Sequence, residues 1–230
     1  MDKLRVIAFD ADDTLWVNEP FFREAEDVFC GLLEDYLPHH TVNRELYATE
    51  IANLPLYGYG IKAFALSMVE TIIRVTDGRA PLSVVERAIN IAKEMLDKPV
   101  ELLEGVEETL EYLGARYRLV LATKGDLLDQ ERKLERSGLA RHFHHIEVMS
   151  DKGEENYRKL IAHLDCRPEE FLMIGNSVKS DILPVLKLGG FAVHVPFHTT
   201  WVHEVVKEPV EHDRLLRCDT LGELKGLLPG

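Results

Sequence analysis

The sequence predicts an α/β fold in which a helical segment interrupts a mostly parallel sheet, and three observations lead to it. First, residues 4–9 form a short apolar run with branched side chains, which is typical of a strand buried on both faces. Second, apolar runs alternate with helical patterns from residue 105 onward, which implies right-handed crossovers between parallel strands. Third, residues 19–98 show only helical periodicity. We therefore predict a core domain from residues 1–18 and 99–230 and an all-helical domain inserted at 19–98.

The inserted segment divides into four predicted helices. Pro20 suits the first turn of a helix. Pro38 disfavours helical geometry in the residue before it, so the helix should end there. Ser83 and Glu86 have the spacing of a capping box, which predicts the start of the fourth helix. The predicted helices cover residues 20–37, about 43–53, 63–76 and 83–96.

In the remainder of the core domain, predicted strands alternate regularly with predicted helices. After the first strand, the predicted strands cover residues 117–122, 145–149, 171–174, 191–195 and 215–218. The predicted helices cover residues 106–113, 126–137 and 155–164, a segment that ends at residue 188, and residues 221–228. In parallel sheets of this kind, ligands bind beyond the carboxyl ends of the strands, so the residues that follow each strand are the candidates for function.

Three carboxylates follow the first strand within four residues: Asp10, Asp12 and Asp13. Like charges so close repel one another, so either water solvates them, as in an acidic turn, or a cation lies among them. Oxygen ligands at the end of a buried strand favour Mg2+. Asp10 and Asp12 are two residues apart and leave an extended chain on the same side, so one can attack while the other handles protons. A carboxylate nucleophile beside Mg2+ suits phosphoryl transfer through an aspartyl-phosphate.

Polar groups that suit the same chemistry follow the next three strands. The second strand ends in Thr123-Lys124, the third is followed by Lys152, and the fourth by a segment that contains Asn176 and Asp181. They supply a hydroxyl, a cation and metal ligands, which together are what phosphoryl transfer requires. Because the carboxyl ends of parallel strands meet at one edge of the sheet, we expect these groups to lie close together.

These motifs, in this order, resemble those of the haloacid dehalogenase (HAD) superfamily. The superfamily has Asp-x-Asp after its first strand, then a Thr or Ser, then a Lys, then an acidic motif, and the match extends over nearly the whole core. The helical insertion resembles the C1 cap of the superfamily. The resemblance implies a Rossmann-like, HAD-like core with a helical cap domain.

The resemblance also implies roles for individual residues. Asp10 would attack phosphorus and ligate Mg2+, and Asp12 would protonate the leaving oxygen and then activate water. The backbone carbonyl of Asp12 would be a further metal ligand. Thr123 and the amide of Lys124 would hold the phosphoryl oxygens, and Lys152 would neutralise the nucleophile and the transferred group.

The acidic motif departs from the usual pattern. Asn176 stands where the superfamily usually has Asp, so we expect it to ligate the metal with one charge less, beside Asp10 and Asp181. Asp13 stands where Gly is frequent, and we assign it no catalytic role. The dehalogenase branch of the superfamily lacks the second Asp of the motif, the equivalent of Asp12, because a halide leaving group needs no acid. The presence of Asp12 therefore favours a phosphatase over a dehalogenase.

A loop between the second and third predicted helices is the candidate for contact with the remainder of the substrate. It contains Tyr57 and Lys62 beside two glycines, so an aromatic ring and a cation could face a ligand there. A simple connection between helices with a packed tyrosine explains the same residues equally well.

The composition limits the partners. The net charge of −13 disfavours nucleic acid and anionic membrane surfaces. Three widely spaced cysteines indicate free thiols in a reducing compartment, and neither a signal peptide nor a membrane span is expected. We therefore predict a cytoplasmic, Mg2+-dependent phosphatase of a small phosphorylated metabolite. A phosphotransferase or mutase, a dehalogenase, and a non-catalytic phosphate-binding relative remain open.

Overall fold

The structure, a computed structural model, describes residues 3–228 and contains one six-stranded parallel sheet. Its strands are β1 (Val6–Phe9), β2 (Arg118–Lys124), β3 (His145–Met149), β4 (Phe171–Gly175), β5 (Phe191–His194) and β6 (Leu215–Arg217). Their order across the sheet is β3-β2-β1-β4-β5-β6, and every neighbouring pair is parallel. The predicted α/β fold with a parallel sheet is confirmed.

The helices alternate with the strands or fill the inserted segment. They are α1 (Glu19–Gly31), α2 (His39–Tyr57), α3 (Ile61–Val75), α4 (Leu82–Asp97), α5 (Val106–Gly114), α6 (Leu127–Ser137), α7 (Glu154–His163), α8 (Leu183–Lys187) and α9 (Leu224–Leu227). A π-helical turn, Val178–Ile182, leads directly into α8. Across residues 3–228, no helix combines the length and apolar character that a membrane-spanning segment needs.

Strand β1 lies at the centre of the sheet and is buried on both faces. Ile7 and Phe9 belong to the apolar cluster that includes α5, whereas Val6 and Ala8 belong to the cluster that includes α7. Successive side chains of a strand point to opposite faces, so a continuous apolar run requires a helical layer on each side. The register with β2 and β4 brings the carboxyl ends of the three strands to the same edge.

The chain divides into two compact units. Of the described residues, the first unit contains the sheet and consists of residues 3–19, Val100–Lys124 and residues 130–228. The second consists of Pro20–Pro99 with Gly125–Asp129, and helices α1 to α4 enclose its own apolar cluster. The predicted boundaries, after residues 18 and 98, each lie one residue before the observed ones, after residues 19 and 99. The sequence did not predict that residues 125–129 belong to the helical unit. The assignment of these units as separate domains stays a prediction.

Two details of the helical unit differ from the sequence prediction. Helix α1 ends at Gly31 rather than just before Pro38, and short-range bonds such as Leu32 N–H to the Phe29 carbonyl (3.1 Å) close the following turns. The capping box predicted at Ser83 is wrong. Pro81 precedes the first residue of α4, and its φ of −65° already suits a helix start without a side-chain cap.

Candidate active site

Asp10 lies at the carboxyl end of β1 and is almost fully buried. Its backbone N–H donates to the Ile174 carbonyl (2.9 Å), which continues the parallel pairing one residue beyond β1. One carboxylate oxygen, Oδ1, accepts from Lys152 Nζ, and the other, Oδ2, accepts from Thr14 Oγ1 (3.2 Å). Burial raises the pKa of Asp10 to about 7, although the Lys152 charge opposes this. The carboxylate therefore lies where more positive charge would stabilise it.

Lys152 precedes α7 and is only 3% exposed. Its ammonium donates to Asp10 and also to Asp181 Oδ1 (2.6 Å), so two carboxylates share one cation. Burial acts to lower the pKa of Lys152, but the charges of the two carboxylates outweigh it and raise the pKa to about 12. Lys152 is thus charged at neutral pH and sits against the predicted nucleophile.

Asp181 lies in the π-helical turn and is engaged on both oxygens. Oδ1 accepts from Lys152 and from Tyr157 Oη (3.4 Å), and Oδ2 accepts from the Ser177 N–H (3.0 Å). A side chain at Gly175 would overlap the Asp181 carboxylate, so this close approach requires glycine at the end of β4. In the structure Asp181 contacts the lysine, and its role as a metal ligand stays a prediction.

Asn176 follows β4 and is held beside Asp10 through a shared hydroxyl. The Asn176 N–H donates to Thr14 Oγ1 (3.1 Å), and its Oδ1 lies 3.4 Å from the same hydroxyl. That hydroxyl has one hydrogen, so the Asn176 and Asp10 oxygens are alternative acceptors for it. His194 Nε2 contacts the Asn176 carbonyl (3.0 Å). The sequence motif contains Thr14, but its role as the link between Asp10 and Asn176 was not predicted.

The oxygen groups beside Asp10 are of the kind that Mg2+ takes. Within residues 3–228, no group of three or more His, Cys, Asp or Glu is arranged to hold a metal. Mg2+ usually keeps several waters and takes one or two carboxylates together with substrate phosphate. The Asp10 carboxylate and the Asn176 amide oxygen meet on one hydroxyl and can serve this purpose.

The Asp12 carboxylate is held by three donors. Oδ1 accepts from the indole N–H of Trp16 and from Lys133 Nζ, each at 2.7 Å, and Oδ2 accepts from Gln130 Nε2 (2.8 Å). Burial would raise the pKa of Asp12, but the Lys133 charge and these hydrogen bonds outweigh it and lower the pKa. Asp12 is therefore ionised. The three donors were not predicted, and the only signal was that residues 130 and 133 are spaced to share one face of a helix.

Thr123 and Lys124 end β2, and the register places Thr123 one residue beyond the level of Asp10. Thr123 is buried, and its hydroxyl makes only a long contact of 3.5 Å with the Lys124 carbonyl. The Lys124 ammonium donates to Glu204 Oε1 (2.6 Å) and to Ser180 Oγ (2.9 Å). The predicted contact of the Lys124 amide with phosphoryl oxygens stays a prediction. The Lys124 side chain instead contacts Glu204 and Ser180.

Asp13 has a structural role. Its φ of 60° lies in the left-handed region, and its carboxylate accepts from the N–H groups of Asn18 (2.8 Å) and Glu19 (3.0 Å). Burial raises the pKa of Asp13 to about 8, although these hydrogen bonds oppose it. The residue thereby fixes the turn that follows the Asp-x-Asp motif.

Tyr57 and Lys62 belong to the helical unit and have partners there. The Tyr57 hydroxyl donates to Glu70 Oε1 (3.3 Å), and Lys62 Nζ donates to Asp126 Oδ2 (3.0 Å). Tyr57 is 46% exposed and the Lys62 side chain is 58% exposed. Their predicted contact with substrate stays a prediction.

Comparison with known proteins identifies the family. A family model described as haloacid dehalogenase-like hydrolase matches residues 4–189. Curated proteins give no match. Among solved structures, a haloacid dehalogenase-like family hydrolase from Xanthomonas campestris is 37% identical, with a TM-score of 0.87 over 98% of this chain and 90% of that one.

Two more distant structures share the fold. The 2-haloacid dehalogenase from Pseudomonas syringae is 18% identical, with a TM-score of 0.65 over 97% of each chain. The HAD-hydrolase YfnB from Bacillus subtilis, bound to magnesium, is 19% identical, with a TM-score of 0.64 over 99% of this chain and 100% of that one. The family model spans most of the chain and the Xanthomonas hydrolase matches nearly all of it, so the predicted resemblance is confirmed and the chain belongs to the haloacid dehalogenase-like hydrolases.

Proposed function

We propose that this hydrolase is a Mg2+-dependent phosphatase that acts on a small phosphate ester through an aspartyl-phosphate at Asp10. The observation that carries the proposal is the pair of carboxylates at Asp10 and Asp12, which have separate partners: the Lys152 ammonium contacts Asp10, whereas Lys133 contacts Asp12. Two carboxylates in different environments can perform two tasks. A halide leaving group needs no second carboxylate, whereas an ester oxygen must be protonated as it departs.

Asp10 and Lys152 would act on the phosphoryl group. The Asp10 carboxylate would attack phosphorus, and the Lys152 ammonium beside it would offset the negative charge of both reacting groups. Mg2+, held by the side-chain oxygens of Asp10, Asn176 and Asp181 and by the Asp12 carbonyl, would supply further charge stabilisation for the phosphoryl oxygens. Thr123 and the Lys124 amide would orient those oxygens.

Asp12 would handle the protons in both halves of the reaction. In the first half it must give a proton to the leaving oxygen, and in the second half it must take one from the attacking water. The Lys133 contact favours the ionised form, which is the form needed in the second half. The acid role requires Asp12 to take up a proton against this contact, so it is the role that most needs a direct test.

Turnover assays on two substrate classes test the proposal. We expect the protein to release phosphate from p-nitrophenyl phosphate, to lose this activity in EDTA and to regain it with Mg2+. 2-Chloropropionate serves as the comparison substrate, and halide release from it without phosphatase activity would contradict the proposal. A preference for an added alcohol over water as acceptor would instead assign the chain as a phosphotransferase.

The Asn176→Asp variant tests the metal position. The change adds one negative charge beside the Asp10 carboxylate, and at an effective dielectric of about 20 a charge about 4 Å from a cation contributes up to about 4 kcal/mol per unit of cation charge. After repulsion from Asp10, we expect Mg2+ to bind about tenfold more tightly, equivalent to about 1.4 kcal/mol. Calorimetric titration with Mg2+ measures this directly.

A matched control adds the same charge elsewhere in the unit that contains the sheet. Asn156→Asp changes a side chain that accepts from the Gly153 N–H at the start of α7. We expect its Mg2+ affinity to equal that of the wild type. An unchanged titration for Asn176→Asp, or an equal gain in both variants, would remove Asn176 from the metal site.

A further inference from the structure

Three buried polar side chains, Ser177, Ser180 and Glu204, form a cluster with the partly buried Lys124. Glu204, 8% exposed, ends a short 3-10 turn after β5, and its Oε1 accepts from Lys124 Nζ (2.6 Å). Its Oε2 accepts from Ser177 Oγ and Ser180 Oγ, each at 2.5 Å. Lys124 also donates to the Ser180 hydroxyl (2.9 Å). The cluster therefore joins the end of β2, the turn after β4 and the turn after β5.

The Glu204 carboxylate and the Lys124 ammonium stabilise each other in their charged forms. An ionised carboxylate is costly to bury unless it is paired and hydrogen-bonded. Burial would raise the pKa of Glu204, but the Lys124 charge and the two hydroxyl groups outweigh it and lower the pKa to about 2. Removal of Lys124 would take the cation from the buried Glu204 carboxylate, and removal of Glu204 would take the carboxylate from the Lys124 ammonium.

The two serines connect the cluster to the segment that carries Asp181. The Ser177 N–H donates to Asp181 Oδ2 (3.0 Å), and the Ser177 carbonyl accepts from the Asp181 N–H (2.8 Å). The Ser180 N–H donates to Ser177 Oγ (3.0 Å), which closes the turn. Asp181 then holds Lys152, and Lys152 contacts Asp10. A continuous chain of polar contacts thus runs from Glu204 to the predicted nucleophile.

We propose that Glu204 is a positioning residue, which fixes Ser177 and Ser180 so that Asp181 directs the Lys152 ammonium at Asp10. In the same arrangement Glu204 neutralises Lys124, so that the Lys124 ammonium serves as a structural cation and does not bind phosphate. The catalytic consequence rests on the proposed phosphatase function, whereas the geometric consequence does not.

A double-mutant cycle separates positioning from stability. Glu204→Leu takes the carboxylate from the Lys124 ammonium and Lys124→Met takes the cation from the buried Glu204 carboxylate, so each should lower both the melting temperature and kcat. The Lys124→Met/Glu204→Leu variant removes both charges with similar side-chain volume, so its melting temperature should recover toward that of the wild type. Its kcat for p-nitrophenyl phosphate should stay about tenfold or more below wild type, because the serines still lack their acceptor and small misplacements are costly in catalysis.

Lys179→Met is the matched control, because it breaks an exposed link between the same two turns. Lys179 Nζ contacts His203 Nε2 and donates to the His203 carbonyl, each at 2.9 Å. We expect this variant to keep the wild-type kcat and melting temperature. An equal loss of kcat in this control would overturn the proposal, because the buried cluster would then have no special role.

The structure of the double variant gives a readout that needs no activity. We expect a crystal structure of it to show the Lys152 Nζ to Asp181 Oδ1 contact lengthened from its 2.6 Å. If that contact is unchanged, or if kcat recovers together with the melting temperature, Glu204 is only a structural ion-pair partner. Absence of phosphatase activity in the wild type would instead refute the proposed function, and the crystal structure would still decide the positioning role.

Discussion

The Asp10→Asn variant should lose phosphatase activity while it folds like the wild type. The amide cannot attack phosphorus, and loss of the nucleophile should lower kcat by at least about 10³-fold, since nucleophile knock-outs in other enzymes cost more. The amide oxygen can still accept the hydrogen bond from Lys152, and the substitution removes a carboxyl that is costly to bury. Steady-state assays with p-nitrophenyl phosphate and thermal melting measure the two effects separately.

Asp97→Asn is a suitable control, because Asp97 is exposed at the end of α4. This variant should keep full activity. Near-normal turnover by Asp10→Asn would show that Asp10 is not the nucleophile, and a collapse of its melting temperature would assign the loss of activity to folding.

The Asp12→Ala variant should depend strongly on the leaving group. General acid assistance is typically worth roughly 10²–10⁴-fold, and an alkoxide needs it whereas p-nitrophenolate does not. We therefore expect kcat/KM for glycerol phosphate to fall by about 10²–10⁴-fold and that for p-nitrophenyl phosphate to fall much less. The ratio of the two losses is the quantity to measure.

A second variant distinguishes the loss of acid catalysis from misfolding in this experiment. Asp12→Ala removes the acceptor of three donors, whereas Asp12→Asn keeps an amide oxygen toward Trp16 and Lys133 and still cannot give an acidic proton. Both variants should show the same dependence on the leaving group. Equal losses on the two substrates would remove Asp12 from the acid role and leave it only the activation of water.

Sequence reasoning was sufficient for the fold because the signals of the core are local and repeated. An apolar run with no alternation requires cover on both faces, and β1 has α5 on one side and α7 on the other. Parallel strands then bring their carboxyl ends to one edge. The proximity of Asp10, Lys152 and Asp181 follows from that topology without knowledge of any side-chain conformation.

The surroundings of Asp12 could not be predicted, because they depend on how α6 is rotated about its own axis. Gln130 and Lys133 face Asp12 in the structure, but their spacing alone is equally typical of a solvated helix face. The same limitation applies to Tyr157, which reaches Asp181 from α7 and belongs to no motif.

The contact between Glu204 and Lys124 could not be predicted from the sequence, for a different reason. Glu204 follows β5 in a segment without periodicity, and its partner Lys124 lies 80 positions earlier in the chain. A partly buried ion pair of this kind leaves no local pattern in the sequence, because each residue alone resembles an ordinary surface charge. The sequence predicted a role for Lys124 through its backbone amide, and only the structure revealed the partner of its ammonium.

The central claim is that Asp10 becomes covalently phosphorylated, and acid quenching during turnover tests it most directly. The protein is mixed with p-nitrophenyl [32P]phosphate and Mg2+, quenched in acid within the first turnovers and digested. We predict label on the peptide that contains Asp10, release of that label by hydroxylamine as expected for an acyl phosphate, and no label in the Asp10→Asn variant. Phosphate release without labelled protein, or stable label on another residue, would contradict the account.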